Sequence, residues 1–251
     1  MSPAALVTGG ARRIGRAIAE RLAREGYAVA IHCGRSVEEA ESLRDRIVGR
    51  GGTAAVVRAD LARADEVEGL VAAAIGAVGP LTLLVNNASL FEPDTLESLD
   101  VERWDRHFAV NLRAPALLAR DFARALPEGA RGAVVNILDQ RVWKPTPDFF
   151  SYALTKAGLL AATTTMAQAL APRVRVNAVG PGPTLSSARQ GPEEFGRQVA
   201  ALPLARGPTP DEVAQAVIYL ARARSVTGQM IAVDGGQHLA WATPDVAGVR
   251  E

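Results

Sequence analysis

The stretch VTGGARRIGRAIAERL, residues 7–22, joins a short apolar run to a segment with apolar residues at helical spacing. Glycines in such a turn let the backbone approach a phosphate, and the helix start supplies unpaired N–H groups and a positive dipole end. A glycine is usual in dinucleotide-binding loops at the position of Arg13, so this loop departs from the common pattern. Its place at the first strand-to-helix turn favours a pyrophosphate site over an ordinary tight turn.

Strand-like and helix-like segments alternate along the chain without a repeat or a low-complexity linker. The strand candidates are the apolar runs AALV (4–7), AVAIHC (28–33), AAVV (54–57), LTLLVN (81–86), AVVNIL (133–138), VRVNAV (174–179) and QMIAVD (229–234). With about six helical stretches between them, this order predicts a Rossmann-type, doubly wound α/β fold. We expect one domain over residues 1–251, with a parallel sheet of about seven strands and helices on both faces.

Local signals refine this outline. Gly26 follows the first helix as a stop signal, and Ser36 with Glu39 three residues later forms a capping-box pattern for the second helix. The region 183–206 is rich in Pro and Gly, so we expect a long connection that covers the substrate. Residues 235–251 form a C-terminal tail after the last strand.

Composition excludes several classes of function. The chain has 251 residues with a formal net charge of +1, so the strongly basic face of a nucleic-acid-binding protein is not expected. A single cysteine, Cys33, rules out an intrachain disulfide and favours a reducing compartment. No apolar run is long enough to span a bilayer, and no secretory signal is evident. We therefore expect a cytoplasmic location, no membrane partner and no metal.

The loop after the second strand indicates which dinucleotide binds. NAD sites commonly place Asp or Glu there to accept hydrogen bonds from the ribose hydroxyls, whereas this chain has Gly34, Arg35 and Ser36. A guanidinium forms charge-assisted hydrogen bonds with a 2′-phosphate, and a serine hydroxyl adds another. This pattern predicts NADP(H). The alternative is that Arg35 is a solvated surface charge and Ser36 only a helix cap.

Five motifs in order carry a family resemblance: TGGARRIG (8–15), NNAS (86–89), VN (110–111), YALTK (152–156) and RVNAVGPG (175–182). The chain resembles the short-chain dehydrogenases/reductases along nearly its whole length. Tyr152 and Lys156 are four residues apart, so on a helix they share one face. A nearby ammonium favours ionisation of a phenol, so we expect Lys156 to lower the pKa of Tyr152.

The resemblance assigns roles to further residues. It implies Tyr152 as general acid/base, Lys156 as a ligand of the nicotinamide ribose, and Asn111 as the residue that kinks a helix and holds a water in the proton relay. Asn86 should line the cofactor cleft. The implied cofactor contacts also include Gly9, Arg12, Arg13, Ile14, Gly15, Arg35, Ser36, Asp60, Leu61, Asn87, Ala88, Ser89, Tyr152, Lys156, Pro181 and Gly182. The family also implies a homotetramer.

One position departs from the common family pattern. Most members carry Ser about a dozen residues before the tyrosine, whereas Asp139 stands thirteen before Tyr152 here. The pteridine reductases, a branch of the family, resemble this chain in that Asp, in an Arg like Arg13 and in an Arg-Ser pair. Their NNAS motif is also followed by a Phe that stacks on the pterin, as Phe91 follows Ser89 here. The ending DGGQHL (234–239) resembles dihydromonapterin reductases.

The resulting hypothesis is NADPH-dependent reduction of a dihydropterin. The ring would stack between the nicotinamide and Phe91, with Ser89 and Arg13 at its edges and with proton delivery by Asp139 and Tyr152. The alternatives are a general NADPH-dependent carbonyl reductase and an NADP-binding sensor or scaffold without turnover. Asp139 could instead cap a strand end or bind a backbone amide, and Phe91 could be a core or interface aromatic. Trp143 could cover the substrate or pack at a surface, and Trp241 could pack on a neighbouring subunit or over an active site.

Overall fold

The computed structural model describes residues 3–186 and 190–241. Within them, seven strands form one parallel sheet in the order β3-β2-β1-β4-β5-β6-β7. The strands are β1 Ala4–Val7, β2 Ala28–Cys33, β3 Ala54–Arg58, β4 Leu81–Asn86, β5 Gly132–Ile137, β6 Val174–Pro181 and β7 Met230–Val233. The doubly wound parallel sheet expected from the sequence is therefore confirmed. Boundaries differ by one or two residues, since β6 runs through Pro181 and β7 is shorter at both ends.

The sheet has a hydrophobic core on each face. Because side chains alternate along a strand, Ala4 and Leu6 of β1 pack into one core while Ala5 and Val7 pack into the other. Every residue of β1 and β2 is buried, as expected for central parallel strands covered on both sides.

Eight α-helices lie in the described part of the chain. They are α1 Arg13–Arg24, α2 Val37–Val48, α3 Ala64–Val78, α4 Val101–Phe108, α5 Ala114–Ala125, α6 Phe150–Leu170, α7 Pro192–Ala200 and α8 Pro210–Arg222. Residues of α1, α2 and α8 fill one core, and residues of α3, α5 and α6 fill the other. None of the helices in the described ranges is long and apolar enough to cross a membrane.

Two helices exceed the six expected from the sequence. A π-helical turn, Ala109–Arg113, separates α4 from α5 within one long helical segment. The second addition, α7, lies inside region 183–206, which was predicted as a long connection that covers the substrate. Pro192 at the first helical position and two glutamates in the first turn start this helix, because they match the free N–H groups and the dipole there.

The helix-end signals were correct at one position and wrong at another. Gly26, which follows the C-cap residue Glu25 of α1, adopts φ +87°, the left-handed conformation expected of a helix stop. The capping box predicted at Ser36 is absent, because the Ser36 side chain caps no backbone N–H and Glu39 lies 3.7 Å from Arg12 instead. A complete capping box begins α8, where Thr209 and Glu212 bond reciprocally.

The strand order places the functional loops. Strands β1 and β4 are neighbours, and the chain winds outward from them in opposite directions. In parallel sheets, ligands bind beyond the carboxyl ends of the strands at such a switch point. The loops after β1, β4, β5 and β6 meet there and border one cleft.

Candidate active site

The cleft at the switch point has a volume of about 710 Å³. It brings together most of the site residues predicted from the sequence: Gly9, Arg12, Arg13, Ile14, Gly15, Asn87, Ala88, Ser89, Phe91, Asp139, Tyr152, Lys156, Pro181 and Gly182. These residues come from the ends of four strands and from α1 and α6. A single cleft of this size accommodates a dinucleotide end and a small ring side by side.

Two glycines give the loop after β1 its close approach to the next loop. Gly9 adopts φ +59°, and a Cβ there would lie 3.0 Å from the Cα of Ala88. A Cβ at Gly15 would collide with the Gly9 carbonyl oxygen and the Asn87 amide. The cradle therefore depends on the absence of side chains, which fits a pyrophosphate approached by backbone.

Bonds between side chains and backbone groups join this loop to the end of β4. The Thr8 hydroxyl accepts hydrogen bonds from the amides of Asn87 at 2.9 Å and Ala88 at 3.0 Å. The Asn87 side chain donates to the Thr8 carbonyl at 2.9 Å and the Gly9 carbonyl at 3.1 Å. The two loops therefore form one rigid cofactor platform. Asn86, expected in the cleft, is buried instead and donates to Asn136 at 2.9 Å.

His32 in β2 supports the loop after β1 and was not predicted from the sequence as a functional residue. The Gly9 amide donates to His32 Nδ1 at 3.1 Å, so the ring proton lies on Nε2, which donates to the Ala59 carbonyl at 3.0 Å. Burial lowers the pKa of His32 to about 4, so the ring is neutral. Its apolar neighbours in β2 made it resemble an ordinary strand residue.

Arg13 has the backbone of the glycine it replaces. Its φ is +52°, in the left-handed region that costs a side chain roughly 1–2 kcal/mol. The guanidinium donates to the carbonyls of Ser186 at 2.9 Å and Leu185 at 3.0 Å. It therefore ties the phosphate loop to the segment after β6. Arg13 was expected to face the cofactor and the substrate. In this structure its Nη1 and Nη2 groups donate to these two carbonyls instead.

Four predicted cofactor residues lie outside the cleft wall. Arg35 is exposed just after β2, and Ser36 immediately precedes α2. Asp60 is exposed, and its carboxylate accepts a hydrogen bond from the Ala62 amide at 2.9 Å. Leu61 is buried in the core, so its side chain does not face an adenine.

Asn111 lies in the π-helical turn, fully buried, as its predicted role in kinking a helix requires. Its side chain accepts from the Leu90 amide at 2.8 Å and the Ser89 hydroxyl at 3.2 Å, and donates to the Leu90 carbonyl at 2.9 Å and to Thr155 at 3.1 Å. The side chain therefore fixes the loop after β4 against α6. It does not line the cleft itself.

Tyr152 and Asp139 form a direct pair. The phenol donates to Asp139 Oδ2 at 2.9 Å, and the other carboxylate oxygen accepts from the Arg141 amide at 2.9 Å. Burial, and then the negative charge of Asp139, raise the pKa of Tyr152 well above its ordinary value. The expectation that Lys156 lowers this pKa was therefore wrong for this structure, and Tyr152 is a protonated acid at neutral pH.

Lys156 is turned towards the backbone. Its ammonium donates to the Ile137 carbonyl at 2.8 Å and lies 5.7 Å from the centre of the Tyr152 ring. Burial lowers the pKa of Lys156 to about 8. The ammonium therefore loses its proton more easily than an exposed lysine, and the nearby Asp139 carboxylate opposes this loss.

An aromatic wall, formed by Phe91, Phe149 and Arg141, closes one side of the cleft. The two phenyl rings stack with centres 4.2 Å apart, and the Phe91 ring meets Tyr152 edge-on at 4.6 Å. The Arg141 guanidinium lies 5.0 Å from the Phe149 ring centre and 5.6 Å from that of Phe91. The Phe91 and Tyr152 rings are in contact, so there is no space for a substrate between them. A flat substrate would lie beside these two rings.

Phe149 and Arg141 were not predicted from the sequence, although Phe149 stands three residues before Tyr152. Trp143 lies outside the cleft, with its ring centre 5.0 Å from that of His238. Trp241 is 76% exposed. Of region 183–206, the segment 183–185 and part of α7 line the cleft, whereas 187–189 and the tail beyond residue 241 lie outside the described residues.

Known proteins resemble this chain along most of its length. A family profile described as enoyl-(acyl carrier protein) reductase matches residues 9–238. The 3-oxoacyl-[acyl-carrier-protein] reductase FabG of Staphylococcus aureus is 34% identical over 247 residues, 95% of this chain and 99% of that protein. The chain belongs to the short-chain dehydrogenase/reductase family. It is thus an oxidoreductase by family.

Two solved structures refine the resemblance. FolM alternative dihydrofolate reductase 1 from Brucella canis, complexed with NADP, is 59% identical, with a TM-score of 0.95 and 97% of each chain covered. A blue fluorescent protein from a metagenomic library, in complex with NADPH, is 33% identical, with a TM-score of 0.87 and coverage of 93% of this chain and 97% of that one. The resemblance to the pteridine-reductase branch is confirmed.

Proposed function

We propose that the protein is an NADPH-dependent reductase of dihydropterin rings, producing tetrahydropterins. The observation that carries this proposal is the 2.9 Å hydrogen bond from Tyr152 to Asp139 beside the aromatic wall. A carboxylate at this position resembles the pteridine reductases, whereas most family members place a serine there. The similarity to a dihydrofolate reductase complexed with NADP supports the same class of substrate.

The residues present fit NADP(H). The Gly9 and Gly15 cradle suits the pyrophosphate, Arg35 and Ser36 suit the 2′-phosphate, and Lys156 suits the nicotinamide ribose. We assign Ile14, Asn87, Ala88, Pro181 and Gly182 to the walls of the cofactor cleft. When bound, NADPH supplies the hydride for a C=N bond.

The chain supplies the proton and the position. Tyr152 keeps its proton at neutral pH, because burial and the Asp139 charge oppose its ionisation, and it can donate to a ring nitrogen. Asp139 orients the phenol and stabilises its hydroxyl until a ring nitrogen replaces the carboxylate as acceptor. The aromatic wall gives a flat ring a stacking face, and Ser89 and Arg13 lie at the cleft edge.

The direct test is an assay of purified protein for oxidation of NADPH with dihydromonapterin, dihydrobiopterin and dihydrofolate. We expect turnover with at least one of these rings, and a strong preference for NADPH over NADH. The Tyr152→Phe variant serves as the control for enzyme-dependent oxidation. Absence of turnover with all three dihydropterins would contradict the proposal.

A second candidate is a carbonyl reductase, favoured by the 34% identity to a 3-oxoacyl reductase. The same Tyr152 proton could serve a ketone oxygen. A 3-oxoacyl thioester in the same assay separates the two activities, because the proposal expects the dihydropterin to have the higher kcat/KM. The reverse order would favour the carbonyl reductase.

We further propose a single-domain homotetramer in a reducing, cytoplasmic compartment. Support for assembly comes from exposed apolar side chains on the helices bordering the site, such as Val101 on α4 and Leu154 on α6. The buried free thiol of Cys33 supports a reducing location. Light scattering coupled to gel filtration measures the assembly directly, and a monomer in solution would contradict it.

A further inference from the structure

A second cluster of polar side chains lies directly behind Tyr152. Asp94, His107 and Ser151 are 4%, 0% and 0% exposed. The Ser151 amide donates to both Asp94 carboxylate oxygens at 3.2 Å, and the Ser151 hydroxyl donates to Asp94 as well. His107 Nδ1 lies 2.6 Å from the Ser151 hydroxyl oxygen. Burying three polar side chains is costly unless they are bonded to one another, so the network holds together as a unit.

This buried polar cluster joins three segments that carry the substrate side of the cleft. Asp94 lies in the loop after β4 that also carries Phe91, His107 lies in α4, and Ser151 lies in the first turn of α6. The Phe150 amide also donates to the Asp94 carbonyl, at 3.3 Å. Because Ser151 directly precedes Tyr152, these bonds set the position of the phenol relative to the Phe91 loop.

The bonding pattern requires one form of His107. The Glu92 amide donates to His107 Nε2 at 3.2 Å, so Nε2 is unprotonated. The ring proton therefore lies on Nδ1 and is donated to Ser151, whose hydroxyl proton goes to Asp94. A proton on Nε2 would face the Glu92 N–H, and two donors cannot bond to each other.

The groups facing His107 act in both directions. The carboxylates of Asp94 and Glu92 favour its protonated form, whereas Arg103 and Arg106 oppose it. Burial is the largest influence and lowers the pKa of His107 below its ordinary value. The ring is therefore neutral at pH 7 and gains a proton only in acid.

We propose that Asp94, Ser151 and His107 are positioning residues that hold Tyr152 and the aromatic wall in the relative positions needed for proton transfer. Protonation of His107 disturbs these positions. The inference rests on the proposed function, since it concerns the same site. It explains why polar side chains are buried behind an aromatic wall, where apolar packing would be simpler.

The first test separates positioning from cofactor binding. Ser151→Ala removes the central hydroxyl, and we expect kcat to fall about tenfold, because small misplacements of reacting groups are costly. The Kd for NADPH should stay within about twofold of wild type, because the substitution does not touch the loop after β1. Ser98→Ala is the matched control, since Ser98 lies on the same loop and bonds only to Thr95 among the described residues. Equal loss in both variants, or an unchanged kcat in Ser151→Ala, would overturn the proposal.

The second test uses the titration of His107. The rate of wild type should fall as the pH drops through the His107 pKa, whereas His107→Gln should lack this acid limb, because a glutamine oxygen still accepts the Glu92 N–H without titrating. Identical pH profiles for the two proteins would overturn the proposal.

Nuclear magnetic resonance of ¹⁵N-histidine-labelled protein provides a readout that needs no substrate. The chain has three histidines, so His107→Gln assigns the signal by its loss. We expect a neutral Nδ1–H ring at pH 7 in wild type and a shifted Nδ1 resonance in Ser151→Ala, because the Nδ1 proton loses its acceptor there. A neutral Nε2–H ring in wild type would contradict the inference. If dihydropterins are not turned over, this result and the pH profile with another accepted substrate still test the positioning network independently.

Discussion

The two halves of the cleft are held by different kinds of interaction. In the cofactor half, residues 8–15 and 86–89, most bonds run to backbone groups, as between Asn87 and the Thr8 carbonyl at 2.9 Å. In the substrate half, residues 91, 139–141 and 149–152, side chains from distant elements touch each other, as in the stacking of Phe91 on Phe149 at 4.2 Å. Substitutions in the substrate half should therefore lower rate and selectivity while they leave the cofactor half in place.

The sharpest test of this separation is Tyr152→Phe. Removal of the proton donor should lower kcat about a thousandfold, within the range of general acid catalysis. NADPH affinity, measured by fluorescence titration, should change less than about twofold, because the phenol hydroxyl bonds to Asp139. The exposed Tyr219→Phe serves as the control. Loss of NADPH binding would show that the halves are coupled, and wild type that binds NADPH without any turnover would favour the sensor hypothesis.

Arg35→Ala should break the cofactor half selectively. Loss of a charge-assisted bond to a 2′-phosphate costs about 1.5–3 kcal/mol, so the Kd for NADPH should rise roughly 10- to 100-fold. Binding of NADH, which lacks that phosphate, should be unchanged, as should kcat at saturation. Arg44→Ala on α2, which removes an exposed pair with Asp45, is the control. Equal weakening of both cofactors would contradict the assignment.

The pH dependence of cofactor binding should follow Lys156. Its pKa is lowered to about 8 by burial, so the ammonium is charged below that pH and becomes neutral as the pH rises through it. NADPH affinity should therefore weaken several-fold, up to about tenfold, between pH 7 and pH 9. In Lys156→Arg the charge persists, so the affinity should stay nearly constant over this range. A flat profile in wild type would contradict the role of Lys156.

Arg13→Gly should have the smallest effect, because two consequences oppose each other. Glycine relieves the left-handed strain of roughly 1–2 kcal/mol, but it loses the bonds to Leu185 and Ser186 and adds unfolded-state entropy. We expect the Tm to shift by only a few degrees and the KM for the dihydropterin to rise a few-fold. Arg12→Gly, where φ is −137° and no strain exists, should lower the Tm more. A larger loss for Arg13→Gly would contradict this balance.

The sequence predicted the residues of the loops after β1 and β4 that border the cleft, because the features of these loops are local. Glycine positions and the strand-to-helix order specify the loop, and the spacing of Tyr152 and Lys156 places them on one helix face. The substrate half depends on contacts between distant segments, so Phe149 and Arg141 were not found. The sign of the Tyr152 pKa shift was also wrong, because it depends on burial, which spacing does not report. Asp94, which is buried behind the site, was not predicted for the same reason.

The most direct measurement of the central claim is the kcat/KM of Asp139→Ser compared with wild type, on a dihydropterin and on a 3-oxoacyl thioester. Serine restores the common family residue but removes the charge that holds the Tyr152 proton. Dihydropterin reduction should fall at least about a hundredfold, within the range of proton-transfer catalysis, while thioester reduction should be unchanged or rise. Retention of dihydropterin turnover in Asp139→Ser would contradict the account.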